Sequence, residues 1–569
     1  MRPFLVTAAQ AGKLPRWGLL LLCGLYLLPG FVGRDPWRQD DAASFGIALT
    51  MARGGPADWL SPNIAGEPVY GEGPLPFWLA AIAIRLLPFV SAHTAARAMA
   101  VAGLALMLVA LWYATYLLAR RPGVQPTDPF GASASRIDFA RAIADSALLV
   151  LLGTIGVIAR VHETTGEAAQ ICLSAFYLYG AARALERPRS GGLIAGLAIA
   201  ASVATQGPYP ALALLLTTLL LPALSPAYRL IARPWLACAL PACALGAVWP
   251  LLLTLDATVG RATFDGWLAW HASLAGGPST RGALYLLRTL PWYFWPAWPI
   301  ALWALLRWRG RLGEPAVALP LLALACMFLV AVSTAGNGDA PQLLPLALPA
   351  AMLASLGLPT LRRGVVSLID WFAVMTYSLI GLAVWAYWIA LVVGYPPRMA
   401  YRAGRIAPGF VPEYVALDIV LGSLATVAWL LLVRWRISRQ PPMIWRAVVL
   451  SGSGLVLAWF LLMTLWLPVF NQRNTYRDVT LQAAATLPPG YRCVAPRGLG
   501  PAQRASLYYF GDLRFGATED GCDWLLIQDD GPAARTDPSP EPGWILRWAG
   551  SRPRDPDERL RLYARDHRR

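Results

Sequence analysis

Charged residues are scarce in this sequence, and their scarcity excludes most soluble proteins. Only 14% of the 569 residues are charged, whereas 57% are hydrophobic. Apolar runs long enough to cross a bilayer follow one another, separated by short polar segments. A soluble fold cannot cover so many consecutive apolar residues, whereas each membrane helix needs about 20 of them. The composition therefore predicts an all-α polytopic membrane protein.

Histidine and cysteine are also few, which limits the metal sites and disulfides that the chain can form. The chain has four histidines and seven cysteines. Asp, Glu and His side chains are available for a divalent ion, but they show no ligand spacing, so no metal site is predicted. Five cysteines lie in apolar segments, whereas Cys493 and Cys522 lie in a polar tail. That pair predicts a disulfide if the tail is outside the cytoplasm.

Thirteen apolar segments are predicted to cross the membrane. They lie at about 17–33, 96–119, 140–159, 166–184, 191–206, 209–225, 235–255, 289–306, 314–333, 341–359, 366–394, 415–434 and 444–468. With the N-terminus in the cytoplasm and an uncleaved first helix, the basic clusters between them fall on the cytoplasmic side, as the positive-inside rule requires. The basic residues punctuate the apolar runs and form no single patch. The net charge of +16 therefore indicates membrane topology, and no binding of nucleic acid is expected.

The apolar segment at 74–89 is interpreted differently. It is short, starts with prolines and contains Arg85. If it crossed the membrane, the basic pair at 120–121 would lie outside. We therefore predict an interfacial or re-entrant helix within an external loop at 34–90. The odd number of crossings then places the C-terminal tail outside.

The tail changes composition abruptly and is predicted to be a separate domain. A transmembrane domain at 1–469 would precede an external, periplasmic domain at 470–569. Candidate helices at YRDVTLQAAATL and PAQRASLYYFG alternate with candidate strands at RCVAP, DWLLIQ and WILRWA. This pattern is typical of a small α/β domain. Cys493 and Cys522 lie at its first two strands, which are expected to be neighbours.

With this topology, polar residues from separate parts of the chain collect on the external face. The loops concerned are 34–73, 160–167, 205–207, 256–288 and 333–342. They bring acids such as Asp40 and Asp41 to the same membrane surface as several arginines. Acidic and basic groups that face one cleft at a membrane surface suit chemistry on a lipid-linked anion.

The candidate residues also have structural interpretations. Asp40 or Asp41 can cap the amphipathic helix predicted from DDAASFGIALTMARGG, and one acid can cap while the other stays free. His162 and Glu163 lie at a helix end, where polar residues are easily accommodated. The arginines of the 256–288 loop can anchor to lipid headgroups. The segment PWYFWPAWP at 291–299 is typical of an interfacial aromatic belt.

The first external loop resembles that of a known enzyme family. Residues 39–78, QDDAASFGIALTMARGGPADWLSPNIAGEPVYGEGPLPFW, are similar to the corresponding loop of the aminoarabinose transferase and protein mannosyltransferase group of GT-C-fold glycosyltransferases. The matching parts are Asp40-Asp41, Ala57-Asp58-Trp59, Gly66-Glu67-Pro68, and Gly71-Glu72-Gly73-Pro74-Leu75 before Phe77-Trp78. RVHE at 160–163, TQG at 205–207 and APQLLPLALPA at 340–350 extend the similarity over most of the membrane part.

The resemblance implies a GT-C-like fold of about 13 membrane helices and an inverting transfer of a sugar from a polyprenyl phosphate to an acceptor hydroxyl. Asp40 occupies the position of the family's catalytic aspartate, and Asp41 would orient it or cap the following helix. The implied substrate contacts are His162, Glu163, Glu72, Arg160, Gln206, Arg281 and Arg288.

The same resemblance implies where the enzyme works and with what. The expected place is the periplasmic face of a bacterial inner membrane, and the expected form is a monomer. The lipid-linked sugar is the donor substrate, and no further cofactor is expected. The acceptor would be lipid A, a glycan or a protein, and membrane lipid would surround the helices.

The sequence departs from the family at three cationic positions. Ala43 stands where the lipid A-modifying members have Arg, Glu72 where Lys is usual, and Gln206 where Lys is frequent. Either Arg281, Arg288, Arg160 or Arg85 holds the phosphate instead, or the activity has changed. A non-catalytic relative that acts in envelope assembly stays an alternative. A flippase or transporter of lipid-linked sugars is a further alternative, but it is expected to place ionisable residues at mid-membrane.

Overall fold

The computed structural model describes residues 6–37, 40–126, 134–277, 279–335, 341–438, 443–516, 521–535, 543–553, 555 and 557–566. Helices dominate from the first apolar run to about residue 474. They are α1 Arg16–Leu27, α2 Asp40–Arg53, α3 Pro56–Leu60, α4 Leu75–Leu86, α5 Ala92–Ala119, α6 Arg136–Leu152, α7 Ile155–Arg160, α8 Gly166–Ala184, α9 Pro188–Gln206, α10 Pro208–Leu224, α11 Pro226–Ala244, α12 Val248–Leu255, α13 Val259–Leu274, α14 Thr280–Tyr293, α15 Ala297–Trp308, α16 Pro315–Thr334, α17 Ala347–Gly357, α18 Arg363–Val393, α19 Pro397–Gly404, α20 Ala416–Ser438, α21 Arg446–Leu465 and α22 Leu467–Asn474.

Seven helical segments within these described ranges are long and apolar enough to cross a membrane by length and composition. They are Ala92–Ala119, Pro226–Leu255, Pro315–Thr334, Leu343–Thr360, Arg363–Val393, Ala416–Ser438 and Arg446–Leu465. Each of the thirteen predicted runs contains a helix. The chain is therefore a multi-pass helical membrane protein, while the number of thirteen crossings stays a prediction.

Breaks in two of the predicted runs affect the polar loops or the helices beside them. The run at 289–306 contains the end of α14 at Tyr293 and the start of α15 at Ala297. Pro296 lies between them and has no N–H group to continue a helix. The run at 140–159 is divided between α6 and α7 by Gly153 and Thr154. This second break places the end of α7 among the polar loops described below.

The central helices pack through small residues. A Cβ atom on Gly180 of α8 would lie 2.7 Å from the backbone nitrogen of Ala195 in α9, and one on Gly191 would lie 2.3 Å from that of Ala184. Only glycine therefore permits this approach of the two backbones. Because lipid tails are as apolar as leucine, such close van der Waals contact is a main source of helix association in a membrane.

The loop between α1 and α5, called the first loop below, is built around α2, which begins at Asp40 and ends before Gly54. The helix was predicted with these bounds, but its predicted amphipathic character is wrong. Ten of its fourteen residues are buried, because α4 covers one face and a helix of the C-terminal tail covers another. A Cβ atom on Gly46 would lie 2.5 Å from the Cβ of Ala505 in the tail.

The segment at 74–89 contains the twelve-residue helix α4. At 1.5 Å per residue it is about 18 Å long, too short for a hydrocarbon core of about 30 Å. Arg85 near its end donates hydrogen bonds to the carbonyls of Met51, Ala52 and Gly54 at the C-terminal end of α2. This guanidinium therefore holds the two helices together, and its binding of phosphate stays a prediction.

The tail contains helices and a four-stranded sheet. Its helices are α23 Arg477–Thr486, α24 Pro501–Phe510 and α25 Pro532–Arg535, and its strands are β3 Val494–Arg497, β4 Trp524–Asp530, β5 Trp544–Gly550 and β6 Glu558–Arg565; strands β1 Asn63–Ile64 and β2 Glu67–Pro68 form a hairpin in the first loop. The sheet order is β3-β4-β6-β5. β3 and β4 are parallel, and the other pairs are antiparallel. The predicted domain boundary after residue 469 lies inside α22 and stays a prediction.

Cys493 and Cys522 form a disulfide next to the parallel pair β3 and β4, as the tail sequence predicted. β6 was missed, although it lies between β4 and β5. Its sequence ERLRLYAR alternates charged and apolar residues, and the buried positions are Leu560, Arg561, Leu562 and Tyr563. The high charge of this segment concealed a central strand.

The tail docks on the first loop. Arg504 of α24 is 6% exposed and donates hydrogen bonds of 2.8 Å to the carbonyls of Ile64 and Ala65. Nη1 of Arg504 also forms an ion pair with Oε2 of Glu67 at 3.4 Å. Arg53 and Asp512 add an exposed ion pair at 3.0 Å. The tail thereby supports α2, the helix that carries the two adjacent acids.

Candidate active site

Asp41, in the first turn of α2, is a buried centre that joins three segments of the chain. Its side chain is 2% exposed. Oδ2 accepts hydrogen bonds from the side chains of Arg34 at 3.4 Å and Arg97 at 3.1 Å, and from the backbone N–H of Trp37 at 3.2 Å. Oδ1 accepts from both the N–H and the hydroxyl of Thr164 at 2.9 Å. Every lone-pair direction of this carboxylate is therefore used inside the protein.

The charges around Asp41 favour its ionised form. Burial alone would raise the pKa of Asp41, but Arg34, Arg97 and the N–H groups of Thr164 and Trp37 together hold the pKa below its ordinary value. Arg97 also donates to the backbone carbonyls of Arg34 and Asp35. The two arginines thus fix the start of α2 against the loop that precedes α8.

Asp40 differs sharply from its neighbour. Its side chain is 63% exposed, and its polar contact is an ion pair in which Oδ2 lies 3.5 Å from Nη1 of Arg160. Arg160 is the last residue of α7, so the helix break at Gly153 and Thr154 brings it here. Of the two adjacent acids, one is fixed inside the protein and the other faces outward.

Arg160 is also shared by two glutamates. Its Nη1 lies 3.5 Å from Oε2 of Glu163, and its Nε lies 3.9 Å from Oε2 of Glu167 in the first turn of α8. Burial first, and the nearby Asp41 carboxylate second, raise the pKa of Glu163 to about 7. One guanidinium therefore faces three carboxylates, and Glu163 titrates near neutral pH.

Glu72 completes the acidic group from the loop before α4. The hydroxyl of Ser44 donates to its Oε2 at 3.3 Å. Burial, with a smaller contribution from Asp40, raises the pKa of Glu72 to about 7, although a hydrogen bond from the N–H of Gly166 at the start of α8 opposes the shift. Near neutral pH, the carboxyl group of Glu72 is therefore partly protonated.

The segment Thr205-Gln206-Gly207 at the end of α9 forms the neighbouring wall. The N–H of Gly73 donates to the carbonyl of Thr205 at 2.8 Å. The Cγ of Gln206 lies 3.4 Å from the position of a Cβ on Gly166, and Glu72 lies against the same glycine. The structure therefore brings together Gln206 and Glu72, which the resemblance had named separately as substrate contacts.

Helix α13 closes this side of the site with His271. Gly207 has φ of +80°, and a Cβ atom there would collide with the His271 ring. The hydroxyl of Tyr209 donates to the carbonyl of His271 at 2.7 Å. The ring is 4% exposed, both of its nitrogens have no hydrogen-bond partner among the described residues, and burial lowers its pKa to about 4. Sequence reasoning placed His271 on the external face but gave it no role.

His162 was predicted to contact substrate, and its surroundings favour a packing role. The imidazole is fully buried, with Nδ1 bonded to the carbonyl of Ile158 and Nε2 2.6 Å from that of Tyr26. The ring lies 4.7 Å from the ring of Trp459. Burial lowers the pKa of His162 to about 4. Both nitrogens thus face backbone carbonyls, the neutral ring donates to one of them, and a substrate cannot reach either nitrogen in this conformation.

Arg281 and Arg288 lie on α14, and both side chains are exposed. Among the residues that the structure describes, neither has an ion pair. The end of α14 packs against α7, where Tyr293 covers Gly156 so closely that a Cβ atom would collide with the ring. The two arginines therefore stand on the helix that borders Arg160 but are not joined to the acidic group.

Three residues close to the acids were missed in the sequence. Arg34 lies next to the predicted pair, but it was given no role. Arg97 is the sixth residue of the apolar helix α5, and in the sequence it is only an isolated charge. Tyr293 lies within electrostatic range of Glu163, Glu167 and Arg160, although its segment was interpreted as an aromatic belt.

In the described ranges, no group of three or more His, Cys, Asp or Glu residues is arranged to hold a metal ion.

Comparison with known proteins gives a structural relationship without a sequence match. No protein-family model matches the chain, and no curated protein matches it. The crystal structure of ArnT from Cupriavidus metallidurans bound to undecaprenyl phosphate is similar with a TM-score of 0.66 and 14% identity, over 96% of this chain and 98% of that chain. The apo state of that ArnT gives a TM-score of 0.64 and 15% identity, over 96% and 97%. The predicted GT-C-like fold is therefore confirmed over nearly the whole chain.

Proposed function

We propose that the chain is a membrane glycosyltransferase that moves a sugar from a polyprenyl-phosphate carrier to an acceptor hydroxyl at the periplasmic face of a bacterial inner membrane. The main support is the contrast between two adjacent acids. Asp41 is buried and fully bonded, and it fixes the start of α2, whereas Asp40 is exposed beside Arg160. A general base needs this combination of a fixed backbone and an accessible carboxylate.

In the proposed reaction, Asp40 accepts the proton of the acceptor hydroxyl. The hydroxyl oxygen attacks the anomeric carbon, and the bond from that carbon to the phosphate oxygen breaks. The electron pair of that bond leaves with the polyprenyl phosphate, so a single displacement inverts the anomeric centre. A well-placed base contributes roughly 100- to 10,000-fold to such a step.

The leaving phosphate gains negative charge and needs cationic donors. Arg160 is already at the site, and the exposed Arg281 and Arg288 lie on the helix beside it. Guanidinium groups are well suited to this task, because they donate two parallel hydrogen bonds to phosphate. We propose that these three arginines replace the cations that the related family carries at positions 43, 72 and 206.

Glu72 and Glu163 suit the same surface in their neutral forms. A carboxylate would repel the donor phosphate, but a pKa near 7 leaves each group largely protonated below neutral pH. A protonated carboxyl can donate a hydrogen bond to a sugar or phosphate oxygen. Gln206, which lies beside Glu72, offers an uncharged donor of the same kind.

The proposed donor is an undecaprenyl-phosphate-type sugar, because the similar ArnT structure is bound to undecaprenyl phosphate. Lipid A, a glycan or a protein would supply the acceptor hydroxyl. We further propose that the reaction needs no bound metal, since proton transfer falls to Asp40 and the phosphate charge to arginines. An activity that survives treatment with a metal chelator would support this part of the proposal.

The test compares the envelope glycans of cells that express wild-type protein with those of cells that lack it. Mass spectrometry should show one glycan or glycolipid that is lost in the absence of the chain and in Asp40→Asn. The matched control is Asp265→Asn on α13, because Asp265 is 59% exposed and pairs with Arg261 at the same 3.5 Å distance. Wild-type glycans in a well-expressed Asp40→Asn strain would exclude Asp40 as the base.

A further inference from the structure

A cavity lies between α18, α20 and α21, far from the candidate active site. Its volume is about 200 Å³, and its lining includes Asp370, Arg436 and Leu450. α21 fixes its position in the bundle. Arg446 begins that helix, whereas Trp459, about 20 Å further along, packs against His162 beside the active site. The cavity is therefore at the opposite end of the membrane helices.

The inner wall of the cavity is a buried ion pair. Arg436 of α20 donates to Oδ2 of Asp370 in α18, and each residue is only 7% exposed. Nε of Arg436 and Oδ1 of Asp370 are buried and have no hydrogen-bond partner among the described residues. A buried guanidinium with an unused donor is unfavourable unless something binds it. Arg436 itself lines the cavity, so its guanidinium is the cationic group that an anion there would meet.

The surroundings of this pair carry excess positive charge. Arg446 interacts electrostatically with Arg436, Asp370 and Arg363. The groups that interact around the pair are thus three guanidinium groups and one carboxylate. An opening with this charge at the end of a helix bundle favours a single or double negative charge.

The rim of the cavity belongs to the surface that faces lipid. Trp371 and Ile437 line it and are each 59% exposed. Nearby Leu368 of α18 is 70% exposed. A molecule that enters here therefore places its charged part against Arg436 and its apolar part along exposed membrane helices. A phospholipid has this division, whereas a soluble phosphate has no apolar part to cover the rim.

We propose that this cavity binds the phosphate headgroup of an anionic phospholipid, at the membrane face opposite to the candidate active site. The phosphate accepts hydrogen bonds from Arg436 and is attracted by Arg446 and Arg363. The acyl chains lie along α18 and α20. This site does not depend on the proposed glycosyl transfer, because none of its residues belongs to the active site.

The proposal is tested by native mass spectrometry of the full chain released from mixed detergent with either phosphatidylglycerol or phosphatidylcholine. The wild-type protein should retain phosphatidylglycerol preferentially. Arg446→Gln leaves the buried pair intact and should weaken retention about fivefold, since one arginine near an anionic headgroup is worth roughly 1 kcal/mol. Asp370→Asn removes the opposing charge and should strengthen retention.

Opposite effects of the two substitutions separate anion binding from a general disturbance of the helices, which would weaken retention in both. The matched control is Arg233→Gln, an exposed arginine of α11 near the same end of the bundle, which should retain phosphatidylglycerol like the wild type. Glycerol phosphate in the buffer should not displace the lipid. Equal retention of the two lipids, no change in Arg446→Gln, or displacement by glycerol phosphate would overturn the proposal.

Discussion

Replacing Asp41 with asparagine is expected to destabilise the first loop far more than the same change at Asp40. Asp41 is 2% exposed, and the two arginines that it neutralises are 1% and 3% exposed. Asparagine keeps the shape, but it leaves both guanidiniums without a counter-charge and turns an amide donor towards other donors. Breaking a buried pair in this way costs about 3–5 kcal/mol. The exposed pair between Asp40 and Arg160 is worth about 0–1 kcal/mol.

Hydrogen exchange of the α2 backbone amides measures this difference. A loss of 3–5 kcal/mol raises the population of the locally open state roughly 150- to 5,000-fold. The α2 amides of Asp41→Asn should therefore exchange faster by about that factor, while those of Asp40→Asn change by less than about fivefold. Asp40→Asn should lose activity with α2 still protected.

The pH dependence has a definite sign. The pKa of Asp41 in the folded protein is below its ordinary value, so its stabilising effect is complete above the unfolded pKa of about 3.9 and is lost as pH falls through the folded value. The protection of the α2 amides from hydrogen exchange, corrected for intrinsic exchange chemistry, should therefore show no change caused by titration of Asp41 between about pH 5 and 8. Equal protection in the two variants would refute the assignment of Asp41 as the structural acid.

Three further predictions concern other parts of the chain. Activity should fall as pH rises through about 7, because Glu72 and Glu163 both lose their protons there; Glu72→Gln should weaken this alkaline decline and Glu72→Gln with Glu163→Gln should abolish it, whereas Asp265→Asn should keep it. Replacing Cys493 and Cys522 with serine should destabilise the tail by about 3–4 kcal/mol, from the entropy of a 29-residue separation, and a calorimetric transition at an unchanged temperature would contradict this. Alkaline phosphatase fused after residue 125 should be inactive, because α4 is too short to cross; an active fusion would show that 74–89 spans the membrane.

The helices were predictable because hydrophobic runs of this length have few alternative structures. The start of α2 followed from acids before an apolar pattern that ends in glycines. The strands β3, β4 and β5 followed from short apolar runs. β6 was concealed because half of its residues are charged, and only its pairing with β4 and β5 makes it a strand.

The candidate site was predicted in part. Asp40, Glu163, Glu72 and Arg160 were named, and the structure brings them together. The roles of Arg97 and His162 could not be predicted from the sequence. Arg97 contacts Asp41 from a helix that is distant in the sequence, and the role of His162 depends on the backbone carbonyls that surround its ring. Burial and hydrogen-bond partners are properties of the folded chain, because they depend on residues that are far apart in the sequence. The residues on either side of a position therefore do not reveal them.

The docking of α24 on the first loop has a consequence for biosynthesis. Asp41 and Arg504 are separated by about 460 residues, which a ribosome that adds about 5–20 residues per second needs roughly 20 to 90 seconds to make. During this time α2 has been synthesised, but the helix that covers it has not. The acids of the first loop therefore acquire their final surroundings only when the end of the chain arrives. A protein shortened before Arg504 would keep the seven helical segments of membrane-spanning length and still leave α2 without the cover of α24.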